Sequence, residues 1–185
     1  MNNQLSKTIS RLHAGLTAGT LVAGTLAMTA TSAEAASNHS AHVRLARAVE
    51  RTGITVYVNH KICDELNLLG FYTSKHKSIV ICQENRPYGV YESVQWTEED
   101  YDTLRHEVHH VVQDCRDGIN GNLHAVYDKP IDLGVKVMGV SRVARVAKGY
   151  EDKGTHTQVM EIEAFAVATM NDPDEQIRDI RNFCF

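Results

Sequence analysis

The sequence predicts an α+β domain in which a small mixed or antiparallel sheet packs on one central helix, with further helices toward the C-terminus. Three observations carry this. Two β-branched runs, "ITVYVN" (54–59) and "KSIVICQ" (77–83), occupy the first half. A sharply capped amphipathic helix opens after Trp96, and the patterns from Thr155 onward are helical.

The elements follow in chain order. Lys7 and Arg11 precede a mildly apolar stretch over 14–30, and Ala33-Glu34-Ala35 offers an A-x-A cleavage signal before Ala36. Residues 1–35 therefore read as a Sec-type signal peptide, residues 36–185 as the mature domain, and the location as secreted or periplasmic. Gly15, Thr17, Gly19, Thr20, Gly24 and Thr25 dilute the apolar stretch too far for a membrane span. Residues 37–53 form a short amphipathic helix, with Val43, Leu45, Ala46 and Val49 apolar and Gly53 as its stop. The two strands come next, joined through "LLGFYTSKHK".

Thr97 is a natural N-cap followed by Glu98, Glu99 and Asp100, and Trp96 and Tyr101 stand at the spacing of a hydrophobic staple. Tyr101, Leu104, Val108, Val111, Val112 and Cys115 then recur at three- and four-residue steps until Gly118 ends the helix. Residues 117–129 are loop-like and 130–149 partly helical. The stretch 155–170 is a helix with Thr155 and Gln158 at capping-box spacing, and 171–183 is another, with Asp172 as N-cap and Pro173 at the first helical position.

Composition limits the function. At 185 residues, the chain can bury its own core, so a metal is not needed to hold the fold. With 43% hydrophobic and 23% charged residues it is neither disordered nor fibrous, and a formal charge of −4 leaves no basic footprint for nucleic acid. Four cysteines in an exported chain suggest two disulfides, with Cys63–Cys82 and Cys115–Cys184 the favoured pairing. No CxxC pair is present, which argues against a cysteine-based zinc site.

The chemistry sits in "LRHEVHHVVQDC" (104–115), which contains His106-Glu107-x-x-His110. Positions four apart share one helix face, so both imidazoles can aim at one point, with Glu107 beside them. A zinc ion held by two His and one carboxylate keeps a position for water, acidifies that water, and needs a nearby carboxylate to take the proton. The third ligand is expected from the 155–170 helix. Glu161 and Glu163 are the candidates, and Glu163 is favoured because Met160, Val167 and Met170 make its face apolar while Glu161 is read as solvent-facing. His156 and His124 are alternative ligands. Asp114, Gln113 and His109 are candidates for orienting an imidazole, and Tyr150, His156 and Tyr127 for stabilising an oxyanion.

HExxH on one helix with a downstream Glu-Ala-Phe-Ala helix resembles the zincin metallopeptidases, more narrowly the gluzincins, whose third ligand is a glutamate. "GFYTSKHKSIVIC" (70–82) is similar to the segment and edge strand that precede the motif in small zincins, where that strand pairs with extended substrate. The resemblance covers residues 70–170. It implies a zincin-like fold, one zinc per chain on His106, His110 and Glu163, and Glu107 as general base toward a zinc-bound water. The substrate would be a peptide or protein laid along strand 77–83. After His110 the chain runs Val-Val-Gln-Asp-Cys-Arg-Asp-Gly, without the further histidine of metzincins. The reading from another class is an exported binding protein of the same fold with a structural metal or none, which a fourth protein ligand such as His109, His124 or His156 would favour.

Overall fold

Capping boxes open two of the helices in the computed structural model, which describes residues 32–66, 68–83, 91 and 94–185. The predicted signal peptide lies outside the described residues as far as residue 31. Helix α1 spans Ser32–Glu50, and Gly53 follows at φ 86°. Three strands come next: β1 (Thr55–Val58), β2 (Gly70–Thr73) and β3 (Ser78–Ile81). Helix α2 (Glu98–Cys115) begins at Thr97 with a capping box closed by Asp100, and the Trp96 and Tyr101 rings stack 5.5 Å apart. Then follow α3 (Pro130–Met138), α4 (Val140–Gly149), α5 (Thr155–Met170) and α6 (Pro173–Phe183). The ambiguous stretch 130–149 is thus two helices, broken at Gly139 where φ is +80°. Among the described residues, no helix is long and apolar enough to cross a membrane.

The three-stranded sheet has the order β1-β3-β2, with β1 parallel and β2 antiparallel to β3. Its inner face carries Val56, Val58, Tyr72, Ile79 and Ile81 into a core shared with Leu45 and Val49 of α1 and Leu104, Val108 and Val111 of α2. Its outer face is covered as well: Phe71, Val80 and Cys82 pack with Tyr57, Ile62 and Cys63. Burial on both faces explains why β3 reads as an unbroken apolar run. The fold is α+β with a small mixed sheet and mostly helices, as the sequence suggested.

Two expectations change here. β3 is the central strand, paired on both sides, so residues 77–83 offer no free edge to a substrate. The edge strand beside α2 is β2, buried at all four positions, inside the stretch expected to be a connection between strands. The tight turn at Ser74–Lys77 folds it back onto β3. Gly70 permits the close fit, because a Cβ there would stand 2.6 Å from Thr103 Cγ2 of α2. The Thr155–Gln158 capping box does not form either. Gly154 is the N-cap of α5, without a side-chain cap bond, and Gln158 Nε2 donates to Ala147 O of α4.

Both disulfides match the expected pairing. Cys63–Cys82 fastens the 3-10 turn at Lys61–Asp64 to the end of β3, and Cys115–Cys184 ties the end of α2 to the end of α6.

Candidate metal centre

Helix α2 runs through the middle of the domain, so its polar residues are buried along with its apolar ones. His106, Glu107, His109, His110, Gln113 and Asp114 are each at most 1% exposed. Buried polar atoms need partners, and these partners define the site.

His106 and His110 project from successive turns with rings at 86°, and their Nε2 atoms stand 3.1 Å apart. Helix α5 packs against this face and contributes Glu161, whose Oε2 lies 3.2 Å from His106 Nε2 and whose Oε1 lies 3.5 Å from His110 Nε2. Ligands about 2.05 Å from a tetrahedral zinc are separated by roughly 3.3 Å, so this triangle has the dimensions of a two-histidine, one-carboxylate zinc site. Glu107 belongs to the same cluster: one ligand atom from each of His106, Glu107 and His110 falls within 4.8 Å of the others. Both Glu107 oxygens and His106 Nδ1 are buried without a hydrogen-bond partner. Glu161, which bridges the two imidazoles at shorter range, fits the ligand role, and the partnerless Glu107 carboxylate fits that of a base beside it.

The electrostatics favour a cation at the centre of this cluster. Burial pushes His106 down to about 4. Burial also opposes charge on His110, but the Glu161 carboxylate outweighs it and lifts His110 to about 9. Glu161 in turn is held below the usual carboxylate range by His110 and His106, against the effect of burial. The group therefore keeps one proton among two imidazoles and a carboxylate, a place that a metal ion could take. Burial pushes Glu107 up to about 8.

The sequence candidates separate clearly. Glu163 is not at the His106–His110 pair: its carboxylate accepts from His109 Nε2 (3.2 Å), Gln113 Nε2 (2.7 Å) and the backbone N–H groups of Val126 (3.1 Å) and Tyr127 (2.7 Å). Glu161, read as solvent-facing, is 1% exposed and takes the position expected of Glu163. The reason is that α5 is buried nearly all round, from Met160 to Ala164 and again from Ala166 to Ala168, so an apolar face could not single out one acid. A better signal was the small-residue stripe Ala164 and Ala168, three and seven positions after Glu161.

Asp114 does not orient an imidazole. It accepts from Tyr72 Oη at 2.7 Å and from the N–H groups of Asn120 and Gly121, pinning β2 and the following loop to α2. Gln113 orients the ring instead, with Oε1 2.7 Å from His110 Nδ1. His156 lies on the surface with Nε2 against Leu123 O, and His124 pairs with Asp117. With His109 on Glu163, all three alternative histidines are engaged away from the pair. Tyr127 serves through its backbone N–H on Glu163.

Tyr150, at the end of α4, does reach the centre. Burial, with the charges of Glu161 and Glu107 and a hydrogen bond to Glu161, raises its pKa, so the hydroxyl keeps its proton. The Phe165 ring, one turn beyond Glu161, packs 4.4 Å from the His106 ring and walls the site.

The free edge of β2 also faces the cluster. Cys82 N donates to Leu69 O, so with the β2–β3 register Phe71 and Thr73 are bonded to β3, while the backbone groups of Gly70 and Tyr72 point away from it. The Tyr72 N–H lies toward Glu107 and favours its ionised form, against the burial that raises it.

A family model described as "Domain of unknown function (DUF8637)" matches residues 35–185. No curated protein and no solved structure matches the chain.

Proposed function

We propose that this chain, which belongs to the DUF8637 family, is an exported zinc-dependent metallopeptidase with a zincin-like arrangement of the gluzincin kind. The observation that carries the reading is the buried triangle of His106 Nε2, His110 Nε2 and the Glu161 carboxylate, with the partnerless Glu107 carboxylate beside it. His106, His110 and Glu161 would hold one zinc ion. Bound there, zinc supplies a Lewis acid that polarises a carbonyl and acidifies water.

The residues around it divide the remaining work. An extended peptide laid along β2 pairs with the backbone C=O of Tyr72, whose N–H is turned to Glu107, and this sets its scissile carbonyl near Glu107. Glu107 takes a proton from the attacking water as the hydroxyl oxygen bonds to the carbonyl carbon. It then hands that proton to the amine nitrogen as the C–N bond breaks. Burial raises the Glu107 pKa to about 8, and a dication held by His106, His110 and Glu161 would oppose that shift and favour the ionised carboxylate that accepts the proton. The Tyr150 hydroxyl, kept protonated by its surroundings, donates to the carbonyl oxygen as negative charge gathers on it. Export is supported by the leader-like segment 1–35 and by the two disulfides.

The test is Glu107→Gln in the mature chain, assayed on a mixture-based peptide library. The variant is expected to keep its zinc and to lose at least a hundredfold in cleavage rate, the scale of general base catalysis. Wild-type cleavage by the variant would refute the mechanism. Zinc binding without cleavage by either protein would favour a binding protein instead.

A further inference from the structure

Gln113 and Glu163 lie outside the ligand triangle, yet both are fully buried and bonded in a line that ends on His110. The direction of that line is fixed by which groups can only accept. Gln113 Nε2 donates to Met160 O at 3.1 Å and to Glu163 Oε2 at 2.7 Å, and neither oxygen carries a proton to give. The amide is thereby oriented, and its Oε1 faces His110 Nδ1 at 2.7 Å. A carbonyl oxygen there must accept, so Nδ1 carries a hydrogen, and Nε2, the atom turned toward His106 and Glu161, is the one whose proton an ion would replace and whose lone pair it would meet. The other imidazole has no such support: His106 Nδ1 is buried without a partner.

The far end of the line needs a carboxylate. Glu163 receives four N–H donors, from Gln113, His109, Val126 and Tyr127. A side-chain amide in its place would turn an N–H toward one of them. Gln113, His109 and Val126 share Oε2 and Tyr127 meets Oε1, so the amide either opposes Tyr127 N–H and frees the loop that holds Oε2 in line, or faces Gln113, which then loses an acceptor or reverses and presents a donor to His110 Nδ1.

We propose that Glu163 is a positioning residue of the metal site, which acts through Gln113 to hold His110 in its Nδ1–H form with the Nε2 lone pair aimed at the ion. The proposal rests on the zinc reading of His106, His110 and Glu161, and assigns the second acid of α5 a role distinct from that of the first. It also explains why the 125–127 loop is fastened to the same carboxylate: its two backbone N–H groups hold the Glu163 oxygens in line with Gln113.

The test measures zinc affinity, with zinc alone as probe, by competition against a chromophoric chelator. The proteins are the wild-type mature chain, Gln113→Leu, Glu163→Gln and the double variant, and the His110 Nδ1–H signal of each zinc form is followed by nitrogen–proton NMR. Each single variant is expected to bind zinc 10–100-fold more weakly, the usual scale for losing a group that orients a metal-bound histidine. The slowly exchanging Nδ1–H signal of the wild type is expected to be lost in both. The double variant is expected to bind no more weakly than the weaker single, because the two residues act along one line. Losses that multiply, or wild-type affinity in Glu163→Gln, would overturn the proposal while leaving the zinc reading intact. A wild-type protein that takes up no zinc would overturn both. Should Glu163→Gln fail to fold, Glu163→Asp, an acceptor one methylene shorter, replaces it with a smaller loss expected and the same failure to multiply with Gln113→Leu.

Discussion

Glu161 Oε2 lies 3.2 Å from His106 Nε2, and this contact joins the two helices that form the centre of the domain. The apolar core between α1, α2 and the sheet is built from other side chains, so the domain is expected to hold together without a metal. Zinc is then expected to add stability by mass action and not to create the fold. At a free concentration a hundred times the dissociation constant the gain is about 2.7 kcal/mol, which for a domain of this size raises Tm by roughly 5–10 °C. Calorimetry with saturating zinc and with a chelator checks this, and equal Tm values would exclude the ion.

The position of Glu161 depends on how closely α3 approaches α5. A Cβ on Gly134 would stand 2.4 Å from Ile162 Cγ2 and 3.2 Å from Val143 Cγ2. Gly134→Ala is therefore expected to cost about 1–3 kcal/mol through overpacking and to weaken zinc binding as Ile162 and its neighbour Glu161 are displaced. Gly149→Ala, where a Cβ meets nothing within 4 Å, is the control. It should be neutral or stabilise by up to about 1 kcal/mol. Urea titration of both variants decides, and equal effects would contradict the packing argument.

The Cys115–Cys184 disulfide closes a separation of 69 residues. Replacing both cysteines by serine is expected to cost about 4 kcal/mol, on the loop-entropy relation. The proposed ligands His106, His110 and Glu161 should be spared, since all three lie on α2 and α5. Denaturant unfolding and zinc stoichiometry measured together test this: loss of zinc from a folded double-serine variant would contradict it.

His42 predicts an acid-sensitive term in stability. Its Nδ1 lies 2.9 Å from Asn38 O and its Nε2 2.9 Å from Arg105 Nη1, so the ring donates at one end, accepts from a guanidinium at the other and must be neutral. It stacks on Tyr101 at 4.1 Å, with His39 nearby. Burial above all, with the Arg105 and His39 charges, lowers its pKa from 6.5 to about 4. The unfolded chain therefore takes up a proton that the folded one refuses. The contribution is intact above pH 6.5 and is lost as pH falls toward 4, amounting to about 2–3 kcal/mol between pH 7 and 4.5. His42→Gln should lose that much less stability over this interval than wild type. An equal loss in both proteins would show that His42 is not the source.

Local signals were the legible part of the sequence. Thr97 and Asp172 as N-caps and the Trp96–Tyr101 staple each act within one turn and are found as read, and Asp100 and Glu175 close capping boxes on them. The disulfide pairing followed from cysteines that flank short elements. What depended on tertiary packing was less legible. Thr155 was outcompeted as a cap because Gly154 turns the chain directly out of the preceding 3-10 turn. β2 was hidden because it is only four residues long and begins with Gly70, whose missing side chain is what lets the strand approach α2. Glu161 and Glu163 stood out as the two acids of α5, but it is Glu161 that lies beside His106 and His110, while Glu163 bonds Gln113, His109 and the 125–127 loop. Both are buried, and only the packing of α5 against α2 on one side and the 125–127 loop on the other distinguishes them.

Whether the buried triangle holds zinc is decided by metal analysis of the purified mature chain, residues 36–185, beside His106→Ala and Glu161→Ala. One zinc per chain is expected in wild type, and none retained by either variant after dialysis. Zinc held by Glu161→Ala as tightly as by wild type, or no zinc in wild type after refolding with the metal present, would contradict the zinc reading.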